Sequence, residues 1–275
     1  QTGLGYQSFK INNVIFIIMN SFSERNKRIF SNRNPEDYAL RSDINKPGIN
    51  KYVKYKRVKQ FNLLIKYLRP KSKDKILIVG TGSGREIKIL DQYVDQLYGI
   101  DIGPGLIKYC NDKYKGSFKG VVCDIEKERS IYPDNFFDKI VCLNTIIFFE
   151  NEGVTNFFSE MSRIIKNDGR IFIFILNKFF PFSGYLQKRV FSRGENKPVY
   201  YYRSPLFYKK CYNKHNFFTL KSEGGHFYFD SDSRLNRAIF SKRHYNLIKR
   251  ITENLSKTPL KFFFRDLFLL LEYRN

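Results

Sequence analysis

The residues of this chain best equipped for chemistry are three glycines at alternate positions, Gly80, Gly82 and Gly84, which follow the apolar run Ile76 to Val79 in KILIVGTGSGRE. The run reads as a buried parallel strand, and the glycines let the backbone turn sharply and approach a ligand with no Cβ in the way. A dinucleotide site has the spacing GxGxxG, whose third glycine lets a helix pack beside a pyrophosphate; here that position is Arg85. The chemistry implied for the loop, Thr81 included, is binding of a nucleoside without a pyrophosphate. The plainer alternative is a glycine-rich turn with no ligand.

Positioning such a loop requires a helix after it and a second strand beside the first. Arg85 to Tyr93 has helical periodicity, with Ile87, Leu90 and Val94 on one face, and QLYGIDIGPGLIKYC supplies a second apolar strand ending at Asp101. An acid at that strand tip, roughly 20 residues past the glycine loop, is placed to accept hydrogen bonds from ribose hydroxyls. Equally, Asp101 has the residue type to cap a helix beginning near Pro104.

The succession VGTGSGRE, GIDIGPGLIKYC, GVVCDIE, DNFFDKIVCLNTIIFFEN and SRIIKNDGRIFIFIL, over residues 60 to 176, resembles the class I S-adenosylmethionine-dependent methyltransferases, in the branch that includes quinone-biosynthesis-type enzymes. The resemblance implies S-adenosylmethionine as cofactor. Gly80, Thr81, Gly82 and Gly84 would pass beneath its methionine part, Asp101 would hold the ribose, and Ile102 next to it would also contact the cofactor. Asp124 and the backbone of Ile125 would meet the adenine, and Asn144 would lie beside the methionyl portion and the methyl group. It also implies an α/β fold: a Rossmann-like, seven-stranded, mostly parallel sheet with helices on both faces, an antiparallel last strand, an N-terminal helical segment and a small cap. The chain departs from the pattern at Ile78, where the family often has an acid that helps fix the amino-acid end of the cofactor through water. It departs again at Asn167-Asp168-Gly169, which replaces Lys-Pro-Gly-Gly before the fifth strand and is still turn sequence.

Composition limits the alternatives. A chain of 275 residues suffices for one α/β core with an attached cap. Cys110, Cys123, Cys142 and Cys211 form no CxxC pair and read as buried free thiols of a reducing, cytoplasmic setting. The net charge of +23 points to nucleic acid or an anionic membrane, but abundant Lys, Asn, Ile, Phe and Tyr without Trp are also what an A/T-rich genome imposes. Lys51 to Lys75 holds ten Lys or Arg against the single acid Asp74, with Val53, Val58, Phe61, Leu64, Ile65 and Leu68 at helical spacing, so its charges read as the solvated face of a docking helix. Val14 to Met19 is too short to span a membrane, and no cleavage site follows it. With a polar lead-in, SFSERNKRIFSNRNPEDYA, just after Met19, the pattern predicts a native product starting at Met19.

The domain reading is therefore an N-terminal extension and docking helix over 1–70 and a methyltransferase domain over 71–275, with 177–215 as a cap on the acceptor side. Ser204-Pro205 predicts a helix start and Asn216 a left-handed stop; Phe217 to Leu220 and Phe227 to Phe229 read as strand, Leu235 to Leu255 as helix and Asp266 to Tyr273 as the last strand. No residue is assigned to catalysis and no metal is implied. His226, after two glycines, is the best candidate for a general base, with a satisfied surface histidine as the blander alternative. The leading function is methyl transfer to an oxygen or carbon of a small-molecule, lipid or sugar acceptor. A tRNA or rRNA methyltransferase is favoured by charge alone, and a noncatalytic cofactor-binding protein only by Ile78.

Overall fold

The computed structural model describes residues 22–43, 45, 47, 51–181, 183–191, 194–225 and 245–275. The Val14 to Met19 run, His226, Phe227 to Phe229 and the first half of the helix expected from Leu235 lie outside them. Seven strands form one sheet in the order β3-β2-β1-β4-β5-β7-β6. They are β1 (Ile76–Val79), β2 (Leu97–Asp101), β3 (Phe118–Val122), β4 (Phe137–Cys142), β5 (Ile165–Leu176), β6 (Phe217–Gly224) and β7 (Asp266–Tyr273). The first five pair in parallel, while β7 runs antiparallel to both β5 and β6. β1 is buried along its whole length because helices cover both faces of a parallel sheet, which is why it reads as an uninterrupted apolar run.

Nine helices are described: α1 (22–31), α2 (Pro35–Ser42), α3 (Lys51–Leu68), α4 (Arg85–Leu90), α5 (Pro104–Lys113), α6 (Asn151–Ile164), α7 (Ser183–Phe191), α8 (Pro205–Asn213) and α9 (Tyr245–Leu255). In α6, Val154, Phe157, Phe158, Met161 and Ile164 form an inward stripe at 1% exposure or less. Each such side chain contributes about 1.5–3 kcal/mol, which outweighs the roughly 1 kcal/mol cost of Gly153 within the helix. Ser204 caps α8 by accepting from Phe207 N–H, and Asn216 takes φ +60° beyond the helix end.

Two local expectations change. The fifth strand begins at Ile165 rather than Arg170, and Asp168 (φ +60°) sits in an irregularity within it where pairing with β4 shifts register. In α3, Leu64 and Leu68 pack inward as expected, but Lys59 is buried with them. Its ammonium donates to the carbonyls of Gly224 at 2.9 Å and Gly225 at 3.1 Å, so this charge is tied to the end of β6 rather than solvated.

Candidate functional site

The chain runs outward from β1 through β2 to β3, then returns to place β4 on the other side of β1. That reversal opens a crevice at the carboxyl ends of the strands, where open α/β sheets bind ligands. Gly80, Thr81, Gly82, Asp101, Ile102, Asp124, Ile125 and Asn144 all line it. Gly84 does not. It caps α4 at φ +79°, and a Cβ there would stand 2.8 Å from the Tyr114 ring and 3.2 Å from Cys110 Sγ, so its task is close packing of the loop on α5.

The other two glycines shape the floor. Gly80 and Gly82 have φ of +77° and +54°; a Cβ at Gly80 would meet Thr145 Oγ1 at 1.9 Å, and one at Gly82 would meet the Tyr38 ring at 3.0 Å. Asp101 holds this loop. Its Oδ2 accepts from Gly82 N–H at 2.8 Å and its Oδ1 from Gly103 N–H at 2.9 Å. The N-cap of α5 is Gly103, so Asp101 is not the cap residue; it clamps the glycine loop to the start of α5. Burial pushes its carboxyl above the ordinary range, while the Gly82 and Gly103 amides and the Arg33 guanidinium pull it back. A carboxylate offers about four lone-pair sites, so two backbone bonds leave capacity for a ligand hydroxyl. Asn144 takes φ +59° at the end of β4, a conformation Asn tolerates better than most residues.

The roof comes from the N-terminal segment. Ser23, Asn26, Lys27 and Phe30 of α1 and Tyr38 of α2 line the same crevice. Lys27 Nζ stands 3.1 Å from Asp124 Oδ2, and Arg33 lies against the rings of Phe30 and Tyr38 at 4.5 and 4.4 Å. No described residue of 177–215, expected as the acceptor-side cap, lines the crevice. That segment holds the roof in place: Asn26 donates to Val199 C=O at 2.8 Å and accepts from its N–H at 2.7 Å, pinning α1. Sequence reasoning missed these roof residues because they were read as an extension; the polar lead-in after Met19 was the available signal.

Glu126 also lines the crevice and was not anticipated. It accepts from Glu150 N–H at 3.3 Å and Ser23 Oγ at 3.4 Å. Gly153 makes room for it, since a Cβ there would lie 2.0 Å from Glu126 Cγ. Burial, with Asp124 and Glu150 nearby, pushes its carboxyl up to about 7. A group titrating near neutrality is suited to take a proton from an acceptor hydroxyl. Because the folded value lies above the unfolded one, the stability from the bound proton is full below pH 4.5 and is lost as pH rises through about 7. Glu126→Gln keeps an acceptor for Glu150 N–H and removes the charge. Thermal melts should show it stabilised by up to about 3 kcal/mol at pH 8 and unchanged near pH 4; equal effects at both pH values would contradict a buried, titrating Glu126.

All four cysteines are buried and free, and burial pushes Cys110, Cys123 and Cys142 up to about 12, 11 and 12, so none of these three offers a thiolate at neutral pH. His226 and His244 lie outside the described residues, and His215 sits in the turn after α8, away from the crevice. Among the described residues no group of three or more His, Cys, Asp or Glu is placed to hold a metal.

Residues 77–173 match the family described as a methyltransferase domain. No curated protein sequence matches the chain. Among solved structures, the geranyl diphosphate C-methyltransferase of Streptomyces coelicolor, determined with Mg2+, geranyl-S-thiolodiphosphate and S-adenosyl-L-homocysteine, is similar with TM-score 0.58 and 12% identity, covering 91% of this chain and 97% of that one. A TehB-like S-adenosylmethionine-dependent methyltransferase from Corynebacterium glutamicum gives 0.53 at 16% identity over 88% and 98%. The cyclase SpnF gives 0.53 at 13% over 80% of each chain. Likenesses at these identities establish the fold alone, and one fold serves several reactions.

Proposed function

We propose that this protein, whose residues 77–173 match a methyltransferase domain, uses S-adenosylmethionine to methylate an oxygen or carbon of a small-molecule, lipid or sugar acceptor. The observation that carries the reading is the convergence of the glycine loop, Asp101, Asp124 and Asn144 on one crevice at the β1/β4 reversal. The cradle fits the cofactor: bare backbone at Gly80 and Gly82 leaves a path that a Cβ would fill. In this reading Asp101 holds the ribose hydroxyls, Asp124 and the Ile125 backbone hold the adenine edge, and Ile102 and Ile125 border the base. Glu86, 4% exposed and lining the crevice, would take the part of the acid absent at Ile78 and receive the cofactor's ammonium, while its Oε1 accepts from Arg85 at 2.7 Å. Arg33, Arg57 and Arg85 converge on a depression that shares Tyr38 and Arg85 with the crevice, and their positive charge would suit the cofactor's carboxylate.

When bound, the cofactor supplies an already activated methyl group, transferred by in-line displacement. The protein's contribution is then mainly to hold the acceptor in line, and positioning of this kind accounts for a large part of such barriers. Phe30, Phe148 and Phe149 line the crevice with aromatic rings. Their rings suit a planar, quinone-like acceptor, which supports the quinone-biosynthesis branch as the finer assignment. Four reduced, buried cysteines support a cytoplasmic setting. The charge of +23 favours RNA as a second acceptor class.

Incubating the purified protein with methyl-labelled S-adenosylmethionine and a fractionated cell extract tests this directly. Label is expected in a small-molecule, lipid or glycan fraction. Label confined to RNA would replace the proposal with the second reading, and bound cofactor with no label in any fraction would end it.

A further inference from the structure

Helix α9 leaves part of its apolar face exposed. Thr252 and, just past the helix end, Ser256 face inward at 2% and 0% exposure, while Leu247 and Ile251, one turn apart, face outward at 58% and 47%. The 3-10 turn that follows, Pro259–Phe263, exposes Leu260, Phe262 and Phe263 at 48%, 42% and 51%. Asn177 at the end of β5 joins this turn to the next loop by donating to the carbonyls of Phe262 at 2.7 Å and Phe264 at 2.8 Å, which brings Phe179, 46% exposed, alongside. Six large apolar side chains thus share one region at the sheet edge onto which the crevice opens. Lys178, Lys249, Arg250, Lys257 and Lys261 are interspersed with them, against the single acid Glu253 over 245–263.

We propose that this face is a docking surface for an anionic lipid bilayer. Each of the six apolar side chains has a Lys or Arg within two residues. The cores of protein interfaces are depleted in Lys, whereas helices that lie in a bilayer interface combine apolar side chains with basic ones. A second copy of this chain is disfavoured by the same charges, since a two-fold contact would set one positive patch against its twin. No helix among the described residues is long and apolar enough to cross a membrane, so the association lies on the surface.

The test is co-sedimentation of the full chain with vesicles of phosphatidylcholine alone or mixed with phosphatidylglycerol. Binding to the mixed vesicles is expected to exceed binding to phosphatidylcholine about tenfold and to weaken with salt. The double variant Phe262→Ser/Phe263→Ser should lose about tenfold in vesicle affinity while retaining wild-type affinity for S-adenosylhomocysteine, which reports an intact fold. Leu247→Ser/Ile251→Ser serves the same purpose if the first variant fails to fold. Absence of binding to the mixed vesicles, or variants that bind as wild type does, would overturn the proposal. So would a wild-type dimer in sedimentation equilibrium that either double variant abolishes, because the patch would then belong to a second copy.

Discussion

Gly82→Val is expected to lose at least about a hundredfold in affinity for S-adenosylhomocysteine, an effect of about 3 kcal/mol. Two penalties combine. At φ +54° a β-branched residue is a backbone outlier, and its Cβ would lie 3.0 Å from the Tyr38 ring before either γ-methyl is placed. The loop must therefore move, and it carries the amide that bonds Asp101, so the floor of the crevice and the proposed ribose ligand shift together. Gly116→Val is the matched control. Gly116 also has positive φ, +99°, but a Cβ there meets nothing within 4 Å, and the residue lies in the turn between α5 and β3. It should lower the melting temperature and leave affinity unchanged. Calorimetry that finds wild-type affinity in Gly82→Val would remove the glycine loop from the site.

Asp101→Ala should lower both stability and cofactor affinity, because its carboxylate satisfies two backbone donors as well as facing the crevice. Leaving Gly82 and Gly103 N–H without an acceptor costs about 1–3 kcal/mol each. A lost ribose hydrogen bond to a charged group removes a further 1.5–3 kcal/mol or so of binding, about tenfold to a hundredfold. Asp101→Asn separates the readings more sharply. The two N–H groups bond different oxygens, at 2.8 and 2.9 Å. An amide can offer only one oxygen and must turn its NH2 toward the other donor, so Asn should be nearly as damaging as Ala. From residue type alone Asn would pass as a mild replacement. If Asp101→Asn melts and binds like wild type, the clamp between the glycine loop and α5 does not exist.

The parallel strands and the positions that line the crevice are local features of the sequence, whereas the reversed final strand was implied by the family resemblance. A strand, its loop and the helix after it are neighbours along the chain, so Ile76 to Val79 followed by Gly80 and Gly82 carries its own geometry, and Asp101, Asp124 and Asn144 mark strand ends by position. Gly84 was assigned with them because spacing alone does not tell a ligand-facing glycine from one packed on Tyr114 and Cys110.

The roof could not be read this way. Ser23 meets Glu126 across 103 positions and Asn26 meets Val199 across 173, and nothing in either segment's own periodicity encodes the partner. Lys59 looked like one more solvated charge of α3 until the carbonyls at the end of β6 were folded over it. The orientation of α9 is the same kind of fact. Its pattern specifies an amphipathic helix, but which face turns inward depends on the surface it lands on, and here that surface takes Thr252 and Ser256 and leaves Leu247 and Ile251 outside. Local spacing sets which residues can share a face; long-range packing, which buries or exposes that face, sets what the face is for.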